Sequence, residues 1–260
     1  PKEFFSPEQA PPRILNLRDK LAALANIGID RVVVEHFNSA FARLSPEEFV
    51  SEIIVKRLNA KWILIGDDFC YGAKRAGNFA SLKTAGEKYG FTVSSIQTIL
   101  EDGERISSSA LRTALANGDM QQAEKLLGRP YGISGHVIHG QQLGRQLGFP
   151  TLNLAVANHL HHRKPATTGI FIAQVLGLGD KPLKAVASLG VRPTVEDEGR
   201  VLLETHIFDY SQDVYGKIIT VELLEKIRDE EKYSDLDTLT KAIAADAVHA
   251  RNYFLKKAYV

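Results

Sequence analysis

The chain of 260 residues is long enough for one large or two ordinary domains, and its 44% hydrophobic and 24% charged residues are typical of a soluble globular protein. A net charge of +1 does not indicate a nucleic-acid-binding surface, and no apolar run approaches the roughly 20 residues of a membrane span. A single cysteine, Cys70, excludes an internal disulfide and favours the reducing cytosol. We therefore expect a cytoplasmic protein without nucleic-acid or membrane partners.

The first half of the chain alternates helical and strand patterns. The β-branched run 31–34 and the apolar run 62–65 predict strands. Ser45 and Pro46 begin a helix as cap residue and first helical residue, and a further helix over 82–89 ends before a glycine. Strands that alternate with helices predict a parallel α/β sheet, in which ligands bind at the carboxyl ends of the strands.

Two polar motifs lie at such positions. The first is the run 66–72, directly after a predicted strand, and it contains Asp68 and Phe69. The second places three hydroxyls and a cation at a helix start: Ser107, Ser108, Ser109 and Arg112. Free N–H groups and hydroxyls at a helix N-terminus can bind an anion, which the arginine one turn later can also reach. The serines equally fit plain helix capping, and the acid fits a solvated turn.

The pattern of predicted elements changes near residue 128. Residues 128–132 predict a linker, and residues 133–227 form short β-type runs between turns, which is typical of a small antiparallel barrel. A last helix carries an apolar stripe from Leu236 to Phe254, with Ser234 as its expected cap. These patterns predict two domains, residues 1–128 and 129–260.

The most unusual stretch is 135–154, GHVIHGQQLGRQLGFPTLNL. Besides Arg145 and Pro150 it carries glycines at near-regular intervals: Gly135, Gly140, Gly144 and Gly148. Glycines let backbone N–H groups approach an anion, and Thr151 and Asn153 share one face of the strand that follows. Their oxygens suit Mg²⁺ that arrives with a nucleotide. The stretch also fits a glycine-marked β-turn beside an edge strand.

Glu204 lies in the middle of an otherwise apolar predicted strand, on the same face as His206. A carboxylate that is buried there without a partner would be costly. Glu204 therefore either faces solvent or acts, for example as a general base that takes a proton from an alcohol. We interpret His206 as structural.

Residues 144–153, GRQLGFPTLN, resemble the G-R-x-L-G-F-P-T-x-N signature of the kinase module in the bacterial bifunctional riboflavin kinase/FMN adenylyltransferases, the FAD synthetases. Residues 188–195, 203–206 and 213–216 resemble further signatures of that module. Residues 66–72 are similar to the G-x-D-F-x-[FY]-G of the adenylyltransferase module, and 106–112 are similar to its I-S-S-T-x-x-R with Ser109 in the threonine position. The resemblance extends from Phe4 to the last helix.

The resemblance implies a Rossmann-like, nucleotidyltransferase-type parallel α/β domain followed by a six-stranded antiparallel riboflavin-kinase β-barrel with a terminal helix. It implies that riboflavin is phosphorylated to FMN by ATP, and that FMN is then adenylylated to FAD with release of pyrophosphate. Thr151 and Asn153 would hold Mg²⁺ with ATP, and Glu204 would activate the ribityl 5′-hydroxyl. The kinase substrate site would further include Gly135, Gly140, Gly144, Arg145, Gly148 and Pro150. The adenylyltransferase site would include Asp68, Phe69, Ser107, Ser108, Ser109 and Arg112.

One departure lies at the front of the chain. The adenylyltransferase module of the family begins with a strand and a G-x-F-D-G-V-H-x-G-H loop, and none of the eight histidines here occurs in a His-x-Gly-His arrangement. We expect this domain to be incomplete at its N-terminus in the chain. Two alternatives stay open, a riboflavin kinase with a non-catalytic first domain and a flavin-binding regulatory protein. The oligomeric state also stays open.

Overall fold

The computed structural model describes residues 1–66, 68–97, 99–101, 103–140, 143–156, 165–191 and 201–257. The chain forms two compact units. Unit 1 consists of Pro1–Pro11 and Arg31–Leu100, and unit 2 consists of Pro12–Asp30 and Glu101–Val260. The chain therefore enters unit 2 early, returns to unit 1, and enters unit 2 a second time.

Unit 1 contains a parallel pair of strands, β1 (Trp62–Gly66) and β2 (Thr92–Ile96). Helix α5 (Phe79–Tyr89) connects them, capped at its start by the Asn78 side chain and ended by a glycine with φ 79°. This strand–helix–strand unit confirms the predicted parallel α/β character.

A second helix packs on this sheet. Helix α4 (Pro46–Glu48) begins with a capping box, in which the Ser45 hydroxyl and the Glu48 carboxylate each accept a backbone N–H bond, and it continues as a π-helix over Phe49–Arg57. The core of unit 1 consists of five buried side chains: Val50, Ile54, Tyr71, Leu82 and Phe91. Shorter helices are α1 (Lys2–Phe5), α3 (Ser39–Ala42) and 3₁₀ turns at Pro7–Gln9 and Ala73–Arg75.

The strand expected over residues 31–34 is wrong. These residues form no strand in the structure, and Val33 is 66% exposed. β-branched side chains favour extended backbone, but a strand is stabilised only by a neighbouring strand and by packing of its faces. In the described part of the chain the run pairs with no neighbour.

Unit 2 is built around a closed barrel of six antiparallel strands in the order β10-β5-β6-β9-β8-β7, which confirms the predicted barrel. Strand β10 closes it, because it pairs with both β5 and β7. The strands are β5 (Tyr131–Ile138), β6 (Leu152–Ala155), β7 (Gly169–Leu176), β8 (Leu183–Val191), β9 (Val201–Ile207) and β10 (Ile218–Arg228). A separate two-stranded sheet joins β3 (Leu100–Glu101) and β4 (Glu104–Arg105).

Apolar side chains that alternate along the strands fill the barrel. Leu203 and Leu189 are fully buried at this core, as are Phe171 and Val221 on other strands. Helices α6 (Ser108–Ala116) and α7 (Met120–Leu127) bury Leu115 and their other apolar residues against the same core.

Helix α2 (Leu17–Asn26) also belongs to unit 2. Asn16 donates to the Ser134 carbonyl oxygen at 3.2 Å, and Asp19 accepts from the Ser134 N–H at 3.2 Å. Strand β6 pairs with β5 only from His136 onwards, so these two side chains bond the backbone of Ser134, which β6 does not reach. Burial raises the pKa of Asp19, although the hydrogen bonds from Ser134 act against the increase.

Helix α9 (Leu236–Lys257) packs on the outside of the barrel, where Ala247, Ala250 and Phe254 meet Ile172 and Val186. The expected cap is wrong. The carboxylate of Asp235 accepts the N–H of Thr238 at 2.7 Å, while the Ser234 hydroxyl only donates to Asp235. Within the described residues, every helix is too short or too polar to cross a membrane.

Candidate active site

Three polar residues lie side by side across the barrel. Asn153 on β6 is the register partner of Glu204 on β9, and Glu204 is the register partner of Ser188 on β8. Directly paired residues of antiparallel strands point to the same face. Their sequence neighbours Leu154, Leu203 and Leu189 point into the barrel and are at most 1% exposed. Asn153, Glu204 and Ser188 therefore form one polar row on the outer surface of the barrel.

Next to Glu204, the outer surface of the barrel forms one wall of a cavity of about 240 Å³. Loop residues line one side of it, Ser188 and Glu204 of the barrel row line its base, and the segment after β10 together with α9 lines the other side. The residues that line this cavity include Gly144, Phe149, Thr151, Ser188, Glu204, His206, Arg228, Glu230, Tyr233 and Asp246. The sequence left Glu204 either in solvent or at a site, and the structure places it in the wall of a cavity.

A second cavity, of about 450 Å³, lies beside the first. Thr151 lines both cavities. Arg145, Pro150 and the segment from Tyr210 to Tyr215 also line the second. The Thr205 hydroxyl belongs to this lining, is fully buried, and has no hydrogen-bond partner among the described residues. Two spaces of small-molecule size thus meet at Thr151.

The glycine-marked loop owes its shape to close backbone contacts. A Cβ at Gly140 would collide with the side-chain amide of Asn153, and a Cβ at Gly144 would collide with the Phe149 carbonyl and lie 3.2 Å from the Thr151 hydroxyl. Gly148 has φ +84°, a conformation that side chains rarely adopt. The loop includes the short helix α8 (Leu143–Gln146), and residues 141 and 142 lie outside the described residues.

The predicted loop residues separate into two groups. Gly144 lines the first cavity, while Arg145 and Pro150 line the second. The remaining predicted residues Gly135, Gly140, Gly148 and Asn153 line neither. Gly135 lies within β5 opposite Ile219, and Asn153 lies beneath Gly140 at 4% exposure.

Asn153 and Thr151 fit the donor chemistry of a magnesium site. The side-chain oxygen Oδ1 of Asn153 is buried and has no hydrogen-bond partner among the described residues. A buried amide oxygen without a partner is unfavourable unless a ligand satisfies it. Magnesium takes oxygen ligands and is usually bound through few protein groups together with phosphates. Glycine at positions 140 and 144 lets the loop backbone lie against these two side chains without a Cβ clash.

Glu230 is a further carboxylate in the cavity that was not predicted from the sequence. The Ser188 hydroxyl lies 3.3 Å from its Oε1 atom, so Ser188 separates Glu230 from Glu204. Burial, and then the nearby charge of Glu204, raise the pKa of Glu230, while the hydrogen bond from Ser188 lowers it.

Arg228 lies on the same wall. It donates to both oxygens of Asp246, at 3.0 and 2.7 Å, and its guanidinium lies 5.8 Å from the centre of the Tyr233 ring. In sequence the charged run 228–233 is indistinguishable from a solvated turn. Only the closure of the barrel brings it next to Ser188.

The predicted adenylyltransferase residues fall in both units. Asp68 is exposed just after β1, and Phe69 packs on Tyr71 with ring centres 5.8 Å apart, both in unit 1. The serines and Arg112 lie on one helical turn at the start of α6, in unit 2. Ser107 is the N-cap and accepts the Ala110 N–H at 3.1 Å, so the capping interpretation of this serine holds.

Arg112 is held by two backbone carbonyl groups. It donates to the carbonyl oxygen of Pro12 at 2.9 Å and to that of Ser108 at 3.1 Å. Ser108 and Ser109 are exposed in the first turn of α6, where their hydroxyls are accessible.

Comparison with known proteins places these features in a family. A family model described as riboflavin kinase matches residues 127–254, and one described as FAD synthetase matches residues 1–110. The bifunctional riboflavin kinase/FMN adenylyltransferase of Escherichia coli (strain K12) is 45% identical over 254 residues, which are 98% of this chain and 80% of that protein. The chain belongs to the bifunctional riboflavin kinase/FMN adenylyltransferase family.

Other members of the bifunctional riboflavin kinase/FMN adenylyltransferase family are similarly close. The Haemophilus influenzae protein is 41% identical over 98% of this chain and 81% of its own length, and the Pseudomonas fluorescens protein is 43% identical over 96% and 79%. A solved structure described as a macrolide-efflux protein from Streptococcus pneumoniae has a TM-score of 0.75 at 30% identity, and covers 93% of this chain and 76% of that one. The fold therefore has an experimental counterpart over most of the chain.

Proposed function

We propose that the protein phosphorylates riboflavin to FMN with ATP in the barrel, and adenylylates FMN to FAD with release of pyrophosphate. The observation that carries the kinase assignment is the position of Glu204. It lies in the wall of a cavity, next to Asn153 in the barrel row, and Thr151 lines the same cavity. A carboxylate and a pair of metal-type oxygens are the groups that transfer of a phosphoryl group to an alcohol requires.

In this proposal the Glu204 cavity takes riboflavin, and the larger cavity beside it takes ATP. Glu204 accepts the proton of the ribityl 5′-hydroxyl as that oxygen forms a bond to the γ-phosphorus. The bond from the γ-phosphorus to the bridging oxygen breaks, and ADP leaves with the electron pair. The protein contributes mainly position and charge, because this kind of transfer requires little covalent chemistry from side chains.

Thr151 and Asn153 are the residues that would hold Mg²⁺. Bound there with ATP, Mg²⁺ supplies neutralisation of the phosphate charge. Arg145 lines the larger cavity and adds a positive charge on the same side. Gly140 and Gly144 allow the loop backbone to approach the two side chains closely. The predicted Gly135, Gly148 and Pro150 would act through the backbone of the strand and loop.

For the adenylyl transfer we propose Asp68, Phe69, Ser108, Ser109 and Arg112 as residues that bind FMN or ATP, with Ser107 as the cap that orders the helix start. Exposed hydroxyls and N–H groups at the start of α6 favour an anion such as a phosphate. We further propose residues 1–128 and 129–260 as the adenylyltransferase and kinase domains. The family matches over residues 1–110 and 127–254 support a boundary in this region.

The test is incubation of the purified protein with riboflavin, ATP and Mg²⁺, followed by chromatographic separation of the flavins. Formation of FMN and then FAD is the expected result. FMN alone would restrict the activity to the kinase reaction. If the riboflavin stays unchanged while the Escherichia coli relative, purified in the same way, is active, the proposed function is overturned.

A further inference from the structure

His206 joins the two strands that carry the proposed catalytic groups. It lies on β9, two residues from Glu204 and on the same outer face. Its Nδ1 atom lies 2.8 Å from the carbonyl oxygen of Pro150, the residue directly before Thr151. The sequence analysis interpreted this histidine as structural and attached no chemistry to it.

The hydrogen bond lies where the backbone ladder stops. Strands β6 and β9 pair as far as Leu152 and Thr205, and no further partner pair follows towards the loop. Proline has no N–H, so Pro150 cannot donate to a continued ladder. At this point the His206 side chain forms the hydrogen bond that connects β9 to the loop. Thr151 lies between the last ladder pair and this bond.

The imidazole ring also contacts two aromatic rings. The ring centres of Phe149 and Phe208 lie 5.7 and 5.6 Å from that of His206, in edge-to-face geometry. Phe208 does not belong to the loop, and the Arg251 guanidinium lies 4.4 Å from the centre of its ring and forms two 2.9 Å bonds with Asp209. Packing on Phe208 thus orients the ring from its own strand, and the hydrogen bond to Pro150 connects the loop to it.

The protonation state follows from the partner. A carbonyl oxygen only accepts, so Nδ1 carries a proton. Both the neutral Nδ1–H tautomer and the imidazolium meet this condition. The bond therefore does not depend on a change of charge at His206.

We infer that His206 is a positioning residue, whose bond to the Pro150 carbonyl fixes the Thr151 hydroxyl relative to Glu204. The inference rests on the proposed riboflavin kinase activity. A displacement of about 1 Å at a reacting centre lowers a rate by roughly 10²-fold. Loss of the bond should therefore lower kcat and weaken the response to Mg²⁺, while the affinity for riboflavin changes little.

Two substitutions separate the hydrogen bond from the ring. In His206→Asn the amide nitrogen occupies the position of Nδ1 and keeps the donor, but the ring is lost. In His206→Phe the ring and its contacts with Phe149 and Phe208 remain, but the donor is lost. The measurements are kcat, the KM for riboflavin, the Mg²⁺ concentration at half-maximal rate, and the thermal unfolding midpoint.

We expect His206→Asn to stay within about fivefold of the wild-type kcat, and His206→Phe to lose roughly 10²-fold with a higher Mg²⁺ requirement and a KM for riboflavin within about threefold. Equal losses in the two variants, or a Phe variant within about threefold of wild type, would overturn the inference.

If His206→Phe does not fold, His206→Gln replaces it, because its longer side chain moves the donor away from the Nδ1 position. The Gln variant should then lose more activity than the Asn variant, and the reverse order would overturn the inference. Wild-type protein that fails to phosphorylate riboflavin would instead overturn the proposed function, so the two failures are distinguishable.

Discussion

The role that we propose for Glu204 depends on its surroundings. A primary alcohol is a weak nucleophile, and a positioned carboxylate that takes its proton accelerates the transfer by about 10²–10⁴-fold. Glu204 has the position for this task, since it lines a cavity that Thr151 also lines.

Replacement of Glu204 by Gln should lower the kcat of riboflavin phosphorylation by about 10²–10⁴-fold with a modest change in KM, because Gln keeps the shape but cannot accept the proton. Steady-state kinetics measure both constants. Glu222→Gln is the matched control, since Glu222 also lies in a barrel strand but lines neither cavity described above. A raised KM with unchanged kcat would make Glu204 a binding residue only.

The buried Oδ1 atom of Asn153 has no hydrogen-bond partner in the part of the chain that the structure describes. Asn153→Ala should raise the Mg²⁺ concentration at half-maximal rate by at least about tenfold, since even indirect supports of a metal contribute 10–100-fold to its affinity. The variant should also lose most of the thermal stabilisation that Mg²⁺ with ADP gives to the wild type. Asn153→Asp keeps an oxygen ligand and should retain this stabilisation. Wild-type behaviour of the Ala variant would remove Asn153 from the metal site.

Ionisation of Glu230 makes the free energy of unfolding depend on pH. Its pKa in the folded protein is raised, chiefly by burial, so between the ordinary value near 4.5 and the raised value the folded state binds more protons than the unfolded state. The free energy of unfolding therefore falls as pH rises through this window. Glu230→Gln should remove that fall and be relatively more stable at neutral pH than at pH 4. Urea unfolding at a series of pH values tests this, and parallel curves for the variant and the wild type would contradict it.

At the scale of elements, α9 is joined to the barrel by two arginine–aspartate pairs of different burial. The Arg228–Asp246 pair has side chains 24% and 8% exposed, and the Arg251–Asp209 pair has side chains 48% and 78% exposed. Both pairs have two charge-assisted hydrogen bonds. The geometry is thus similar, and solvent exposure is the main difference.

Asp246→Asn should destabilise the protein by about 3 kcal/mol, because it removes the nearest countercharge of a guanidinium that is only 24% exposed and leaves the more distant Glu231 at 3.8 Å. Asp209→Asn should change stability far less than Asp246→Asn does, because water screens the exposed pair. Urea unfolding of both variants gives the comparison. Asn is also a suitable replacement at position 209, where φ is 56°, because Asn tolerates that backbone conformation. Equal destabilisation would show that burial does not decide the strength of these pairs.

For the whole molecule, the position of a segment in the sequence does not decide the unit to which it belongs. Residues 12–30 precede most of unit 1, yet they pack with the barrel through Ser134 and through a 2.9 Å bond from the Tyr131 hydroxyl to the Ile14 carbonyl. Stability of the kinase barrel should therefore depend on a segment that lies far from it in sequence.

Asn16→Ala should lower the stability of the barrel unit by about 1–2 kcal/mol, because Asn16 both caps α2 and donates to β5. The measurement is the temperature at which riboflavin phosphorylation is lost on heating. Asn38→Ala is the control, since it removes the cap of a short exposed helix in unit 1. An equal effect of the two substitutions on kinase inactivation would contradict the assignment of α2 to the barrel unit.

The sequence by itself determined the elements whose signals are local. The helix α5 between two strands, the β-rich character of residues 133–227 and α9 were predicted correctly, since alternation, periodicity and turn residues act over a few neighbours. The linker expected over 128–132 was wrong at its end, because Tyr131 and Gly132 already belong to β5. The kinase signature residues Thr151 and Asn153 were singled out by spacing along one strand. The run 31–34 was not predicted correctly, because a strand needs a partner that local pattern does not specify.

Only the tertiary structure decided what surrounds these residues. Barrel closure sets Glu204 beside Ser188 and brings Glu230 to the same cavity, and it places His206 against the Pro150 carbonyl. These contacts join residues 16 to 56 positions apart, and their geometry depends on register and packing of the whole barrel. No local pattern fixes such distances, which is why the histidine and the second carboxylate looked like ordinary strand and turn residues in the sequence.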